Sequence, residues 1–283
     1  MRFPVDAILD DVRAALLRSP NLVVQAPPGA GKTTRLAPAL LEAPWLDGRK
    51  IVMLEPRRIA ARAAARFMAG LRGEPVGETI GYRVRMDSKV GPRTRLEVVT
   101  EGVLTRLLQE DPSLAAYGAI LFDEFHERSL QADLGLALAL EAQASLRPDL
   151  RIVVMSATLD GAAVARLLGE AQLISSEGRA FPVETRYAPP RPEGTRVERG
   201  GRIEGHLASV VLRVLREEAG SVLAFLPGQA EIRRVADLLA PQLSRDVDLV
   251  PLFGELERER CEVGLEDLRR RERDQARVLA LAP

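Results

Sequence analysis

The chain has 283 residues, 46% hydrophobic and 28% charged, which is enough to bury a sizeable core as one large domain or two smaller ones. Lys+Arg and Asp+Glu both number 40, which excludes a histone-like electrostatic binder of nucleic acid yet leaves room for a local basic groove. A single cysteine, Cys261, excludes an internal disulfide and suits a reducing compartment.

In chain order, the opening MRFPVDAILDDVRAALL is broken by Pro4, Asp6, Asp10 and Asp11. It predicts neither a signal peptide nor a membrane span, so the expected setting is cytoplasmic, with no membrane partner. Short apolar runs at 22–26, 50–54, 96–100, 119–123 and 152–156 follow as strand candidates. Segments rich in Ala, Leu and Arg at 34–41, 60–71, 102–109 and 130–146 lie between them as helices. Buried strands joined by helices predict an α/β fold with a parallel sheet and right-handed crossovers.

After Tyr187 the texture changes. Residues 188–205, APPRPEGTRVERGGRIEG, hold four glycines and three prolines and predict an exposed linker between a first domain, 1–187, and a second, 206–283. The second domain reads as helix 206–219, strand 221–226 and helix 229–239, with a last apolar run at 278–281. Its 78 residues are few for a complete α/β domain, so the expectation is a partial one.

The chemistry starts at APPGAGKTT, residues 26–34. G-x-x-x-x-G-K-[ST] is met from Ala26 to Thr33, with alanine in place of the first glycine, between a predicted strand and a predicted helix. The loop residues Pro28, Gly29, Ala30, Gly31, Lys32, Thr33 and Thr34 would cradle phosphates with backbone N–H groups at a helix N-terminus. Lys32 would pair with the β and γ phosphates, and the Thr33 hydroxyl would ligate Mg²⁺. Such a loop needs an acidic site on a neighbouring strand, and AILFDEFHE supplies it. There Asp123 would hold Mg²⁺, directly or through water, and Glu124 would orient and deprotonate the attacking water. The two motifs together imply nucleoside-triphosphate hydrolysis.

Further landmarks follow in a fixed order. Asp-Glu-Phe-His at 123–126 resembles a DEAH box, EPRR at 55–58 resembles motif Ia and TEGVL at 100–104 motif Ib. GYRVR at 81–85 matches a strand-turn signature, SAT at 156–158 resembles motif III, and FLPG at 225–228 the start of motif IV. With DEFHERSLQADL, the set is similar to the DEAH/RHA helicases of superfamily 2, bacterial HrpB type. The resemblance implies a RecA-like P-loop NTPase domain followed by a second RecA-like domain, here incomplete. It implies ATP as cofactor, with other NTPs accepted, and single-stranded RNA as partner, with DNA not excluded. Arg57, Arg58 and Thr100 would contact the nucleic-acid backbone. Ser156 and Thr158 would couple phosphate release to motion, and His126 would link the nucleotide site to motif III.

The resemblance also places an adenine-stacking arginine in the helix after motif Ia. Arg62, Arg66 and Phe67 all stand there; Arg66 is carried as the candidate, and the three are not separated by sequence. Residues 1–24 lack the glutamine of an adenine-reading motif, as expected of enzymes that tolerate several nucleotides. No Gln-x-x-Gly-Arg-x-Gly-Arg occurs, so motifs V and VI and their arginine fingers are expected from a missing C-terminal half. Two rival expectations stand beside the helicase: a non-catalytic nucleotide- and RNA-binding module, because those arginines are absent, and a P-loop ATPase with an unrelated partner.

Overall fold

The computed structural model describes residues 3–157, 161–177, 182–189, 203–244, 246–252 and 277–282. The chain divides into two compact units, Met1–Pro182 and Val183–Pro283. Thr158 and most of the linker expected at 188–205 lie outside the described residues. No helix among the described residues is long and apolar enough to cross a membrane.

The first unit is built on an eight-stranded sheet. Its strands are β1 (Asn21–Gln25), β2 (Lys50–Leu54), β3 (Ile80–Val84), β4 (Asp87–Lys89), β5 (Leu96–Val99), β6 (Tyr117–Phe122), β7 (Arg151–Ser156) and β8 (Gln172–Ser175). They lie in the order β4-β3-β5-β2-β6-β7-β1-β8. Every pairing is parallel except β3 with β4, an antiparallel hairpin. The central strands are apolar on both faces because helices cover both. Leu22, Val24, Ile51, Met53, Leu121, Val153 and Met155 point to one face, where they pack with α1 (Leu9–Arg18) and α3 (Arg58–Leu71). Val23, Val52, Leu54, Ile120, Phe122, Ile152 and Val154 point to the other, against α4 (Glu101–Glu110), α5 (Leu130–Ser145) and α6 (Gly161–Leu167). The helix expected at 34–41 is instead a single π-turn, Lys32–Leu36, followed by the three-residue α2, Ala37–Ala39. Pro38 stands in the first turn of α2, and the segment ends at Ala39.

The hairpin rests on a glycine. A Cβ at Gly81 would lie 2.3 Å from the Lys89 carbonyl oxygen across the β3–β4 pair, a backbone atom that cannot turn aside. Gly81→Ala should therefore cost about 1–3 kcal/mol as the hairpin shifts to make room. Thermal unfolding should register this as a loss of roughly 3–10 °C, and an unchanged midpoint would show that the hairpin gives way freely.

The second unit holds α7 (Ile203–Glu217), β9 (Val222–Phe225), α8 (Gln229–Leu239), β10 (Val247–Pro251) and β11 (Arg277–Ala282). Its three strands are parallel in the order β10-β11-β9. Val211, Leu215, Ile232, Val235, Leu239, Leu279 and Leu281 form its core. His206 sits in the first turn of α7, with Nε2 2.7 Å from the Ala188 carbonyl oxygen.

Candidate nucleotide and nucleic-acid site

The ends of β1, β7 and β6 meet along one edge of the sheet, and the site grows from them. After β1 the chain turns through Gly29 (φ 76°) and Gly31 (φ 89°), both in the left-handed region that favours glycine. At Gly31 space is also short, since a Cβ there would meet the Phe3 side chain at 2.9 Å. The N-terminal segment thus braces the loop. The Val5 N–H donates to the Ala30 carbonyl at 3.1 Å, and Asp6 Oδ1 accepts from Arg35 Nε at 2.8 Å. Lys32 is buried and folds back, its Nζ donating to the carbonyl oxygens of Ala26 at 2.7 Å and Pro27 at 3.3 Å.

The expected neighbouring acidic strand is next but one: β7 lies between β1 and β6. Ser156, at the end of β7, is buried, and its carbonyl accepts from the Ala26 N–H at 3.0 Å. Asp123 is buried just beyond β6. Its Oδ1 accepts from the Glu124 N–H at 2.9 Å, whereas Oδ2 has no hydrogen-bond partner. Burial raises its pKa to about 6, with Glu124 adding to the rise, while the Thr33 hydroxyl and Lys32 oppose it. A carboxylate that is buried, half-unsatisfied and beside a threonine hydroxyl is the donor set a hard divalent cation takes.

Glu124 adopts φ 48°, ψ 34°, a left-handed conformation uncommon for a non-glycine residue, and opens the 3-10 turn Phe125–Glu127. Within that turn, His126 Nδ1 lies 3.3 Å from Glu124 Oε2 and 3.5 Å from the Ala157 N–H. A single ring nitrogen serves both contacts. With its lone pair free it accepts from Ala157; protonated, it donates to Glu124. His126 thereby touches both the DEFH segment and the SAT segment.

On β2's side, Arg57 is exposed and pairs with Glu127, while the exposed Arg58 donates to the Arg85 carbonyl at 2.9 Å. Thr100 lies at the N-cap position of α4 and is largely buried, with its N–H 3.4 Å from the Arg83 carbonyl oxygen. In α3, which packs beside the π-turn of the loop, Arg62 is buried and held 2.9 Å from Asp87 Oδ2. Arg66 and Phe67 are exposed. Arg62 is thus engaged inside the fold, whereas Arg66 and Phe67 lie at the surface.

Glu55 was missed, although a charged residue directly after an apolar strand was a visible signal. It is 4% exposed, and burial raises its pKa to about 8, with Asp123, Glu124 and Glu127 contributing like charge. The ordinary value is 4.5, so between the two the folded chain keeps a proton that the unfolded chain has released. Stability from this group is full below the unfolded value and is lost as pH rises through the folded one. Glu55→Gln mimics the protonated acid. Urea unfolding should show it about 2–4 kcal/mol more stable than the parent at pH 9 and equal to it at pH 4. Equal stability at both would mean that Glu55 is not desolvated.

Known proteins resemble this chain. The DEAD/DEAH box helicase family matches residues 8–167. The chain is 50% identical over 253 residues to the ATP-dependent RNA helicase HrpB of Escherichia coli (strain K12), covering 89% of this chain and 30% of that protein. It is 36% identical over 258 residues to the ATP-dependent RNA helicase HrpA of the same organism, covering 89% of this chain and 19% of that protein. The crystal structure of the Escherichia coli DEAH/RHA helicase HrpB aligns with a TM-score of 0.85 and 45% identity, over 99% of this chain and 34% of that one. The chain thus spans between 19% and 34% of the length of these relatives. With the family match extending over more than half of its residues, on a RecA-like sheet whose strand ends carry the expected landmarks, the chain belongs to the DEAD/DEAH box helicases.

Proposed function

We propose that this chain is the nucleotide-hydrolysing N-terminal part of an ATP-dependent RNA helicase, in which hydrolysis drives movement along a single strand. One observation carries the reading: Lys32, Thr33, Asp123 and Glu124 converge at the ends of β1 and β6, while Arg57 and Arg58 stand exposed after β2. Lys32 would bind the β and γ phosphates, and Glu124 would take a proton from the attacking water. Thr33 and Asp123 would hold Mg²⁺, which when bound neutralises charge on the phosphates. His126, Ser156 and Thr158 would carry the state of the nucleotide to the rest of the domain, and Arg66 would stack on the base. Arg57, Arg58 and Thr100 would grip phosphates of the strand without reading its sequence. RNA is favoured because HrpB and HrpA are RNA helicases by name. Its single cysteine suits a reducing compartment, and a cytoplasmic setting belongs to the same proposal.

The domain reading is part of the proposal too: a RecA-like domain at 1–187, a linker at 188–205 and part of a second RecA-like domain at 206–283. The two compact units support it. A second reading is a non-catalytic nucleotide- and RNA-binding module. Nucleotide binding and ATP hydrolysis by residues 1–283, each with and without single-stranded RNA, separate the two. RNA-stimulated turnover supports the enzyme. Binding without turnover supports the module, and no nucleotide binding at all rejects both.

A further inference from the structure

Arg57 and Glu127 meet at a cavity of 210 Å³ whose walls include Pro56, Glu101, Asp123, Glu124 and Arg128. A single bond joins them, Arg57 Nη2 donating to Glu127 Oε1 at 2.7 Å, and the side chains are 72% and 37% exposed. An ion pair this open to water adds little to folding and is easily exchanged for another. Glu127 closes the 3-10 turn that Glu124 opens, its N–H donating to the Glu124 carbonyl at 2.9 Å. The residues on either side of that turn, Glu124 (φ 48°) and Arg128 (φ 43°), both hold left-handed backbone. Non-glycine residues stay there only when their surroundings keep them. The turn is therefore a short strained element, tethered to Arg57 by Glu127 and to Ala157 by His126.

We propose that Glu127 is a positioning residue that links nucleic acid to the hydrolytic carboxylate: a backbone phosphate claims the Arg57 guanidinium, the Glu127 carboxylate is displaced, and the released turn resets Glu124. This rests on the reading of Arg57 as a nucleic-acid contact. The exchange follows from charge. A phosphodiester on Arg57 stands beside the Glu127 carboxylate, the two anions repel, and the carboxylate is the one free to move into water. Movement at Glu127 is passed through the Glu127–Glu124 backbone bond to a residue whose conformation is already strained. By linkage, whatever nucleic acid does to nucleotide affinity, nucleotide does to nucleic-acid affinity.

The test is fluorescence anisotropy of a labelled single-stranded oligouridylate, with and without a non-hydrolysable ATP analogue. It compares the parent chain with Glu127→Gln, Arg57→Ala and the double variant. Glu127→Gln removes the competitor and should tighten RNA binding about three- to tenfold. It should also reduce the analogue's effect on RNA affinity to within about twofold of none. Arg57→Ala should weaken RNA binding about tenfold, and adding Glu127→Gln to it should change nothing further, because the exchange has lost its site. If Glu127→Gln binds RNA as the parent does while Arg57→Ala is weakened, the positioning role is wrong and the nucleic-acid reading of Arg57 survives. If Arg57→Ala binds RNA as the parent does, that reading falls and takes the inference with it. A parent whose RNA affinity ignores the analogue also overturns the coupling.

Discussion

Lys32→Ala weakens ATP binding by about 10²–10³-fold, roughly 3–4 kcal/mol at 1.4 kcal/mol per decade, as expected when one partner of a buried charge pair is removed. The side chain is 3% exposed, and its Nζ is already fixed by the Ala26 and Pro27 carbonyls. Phosphate would draw the ammonium from these carbonyls, and in so buried a place a charge-assisted bond is strong. Alanine leaves the two carbonyls without their donor, so the empty loop also loosens, which adds to the loss. Titration calorimetry with ATP and Mg²⁺ measures the effect, and a parallel melting curve checks that the first unit stays folded. A dissociation constant within threefold of the parent's would mean that the loop is not the phosphate cradle.

Glu124→Gln has the opposite profile, with nucleotide binding retained and hydrolysis slowed by about 10²–10⁴-fold, the usual contribution of a positioned general base. Glutamine keeps the size of the side chain and the backbone bond from Glu127 to the residue 124 carbonyl. What it loses is the acceptor that takes a proton from water, and with it the carboxylate facing His126 Nδ1. Single-turnover phosphate release with saturating single-stranded RNA reads the chemical step directly. Turnover as fast as the parent's would place the base elsewhere and leave Glu124 as a structural residue of the turn. The two variants also control for each other, because Lys32→Ala acts on affinity and Glu124→Gln on rate.

Apolar runs made much of this visible without coordinates. The run at 50–54 coincides with β2, that at 22–26 is shifted by one residue from β1, and that at 96–100 overruns β5 by one. Such strands are buried on both faces and need no alternation to be recognised. β3 was legible only through its resemblance, because it carries Arg83, which pairs with the buried Glu97 on β5. An ion pair inside a sheet defeats a reading that equates burial with apolar residues. β8 shows the same difficulty in another form, since three of its four residues are exposed. α1 went unread because Asp6, Asp10 and Asp11 looked like breaks, whereas Asp10 and Asp11 lie in its first turn, where carboxylates suit the helix dipole.

At the site, the loop and the DEFH segment could be paired from sequence because each ends a strand. The interposed β7 could not, because strand order is not written in any local pattern. Nor could the partners of Arg57 and Asp6, which lie far away along the chain. Glu55 was quoted within EPRR for its arginines, and only its enclosure by Asp123 and Glu124 reveals it as a buried acid.

The interposed strand has a consequence for how such a chain can change. Loop and carboxylates are held two strand spacings apart, roughly 9–10 Å, by the hydrogen-bond ladders of β1, β7 and β6. The long stretch of chain that connects them does not enter into that distance. Residues can be gained or lost at the surface end of a covering helix without altering that spacing. A one-residue slip of β7 against either neighbour would misalign Ser156 from both halves at once while leaving the chain length untouched. The spacing of the two motifs is therefore set by strand register and not by the length of chain between them.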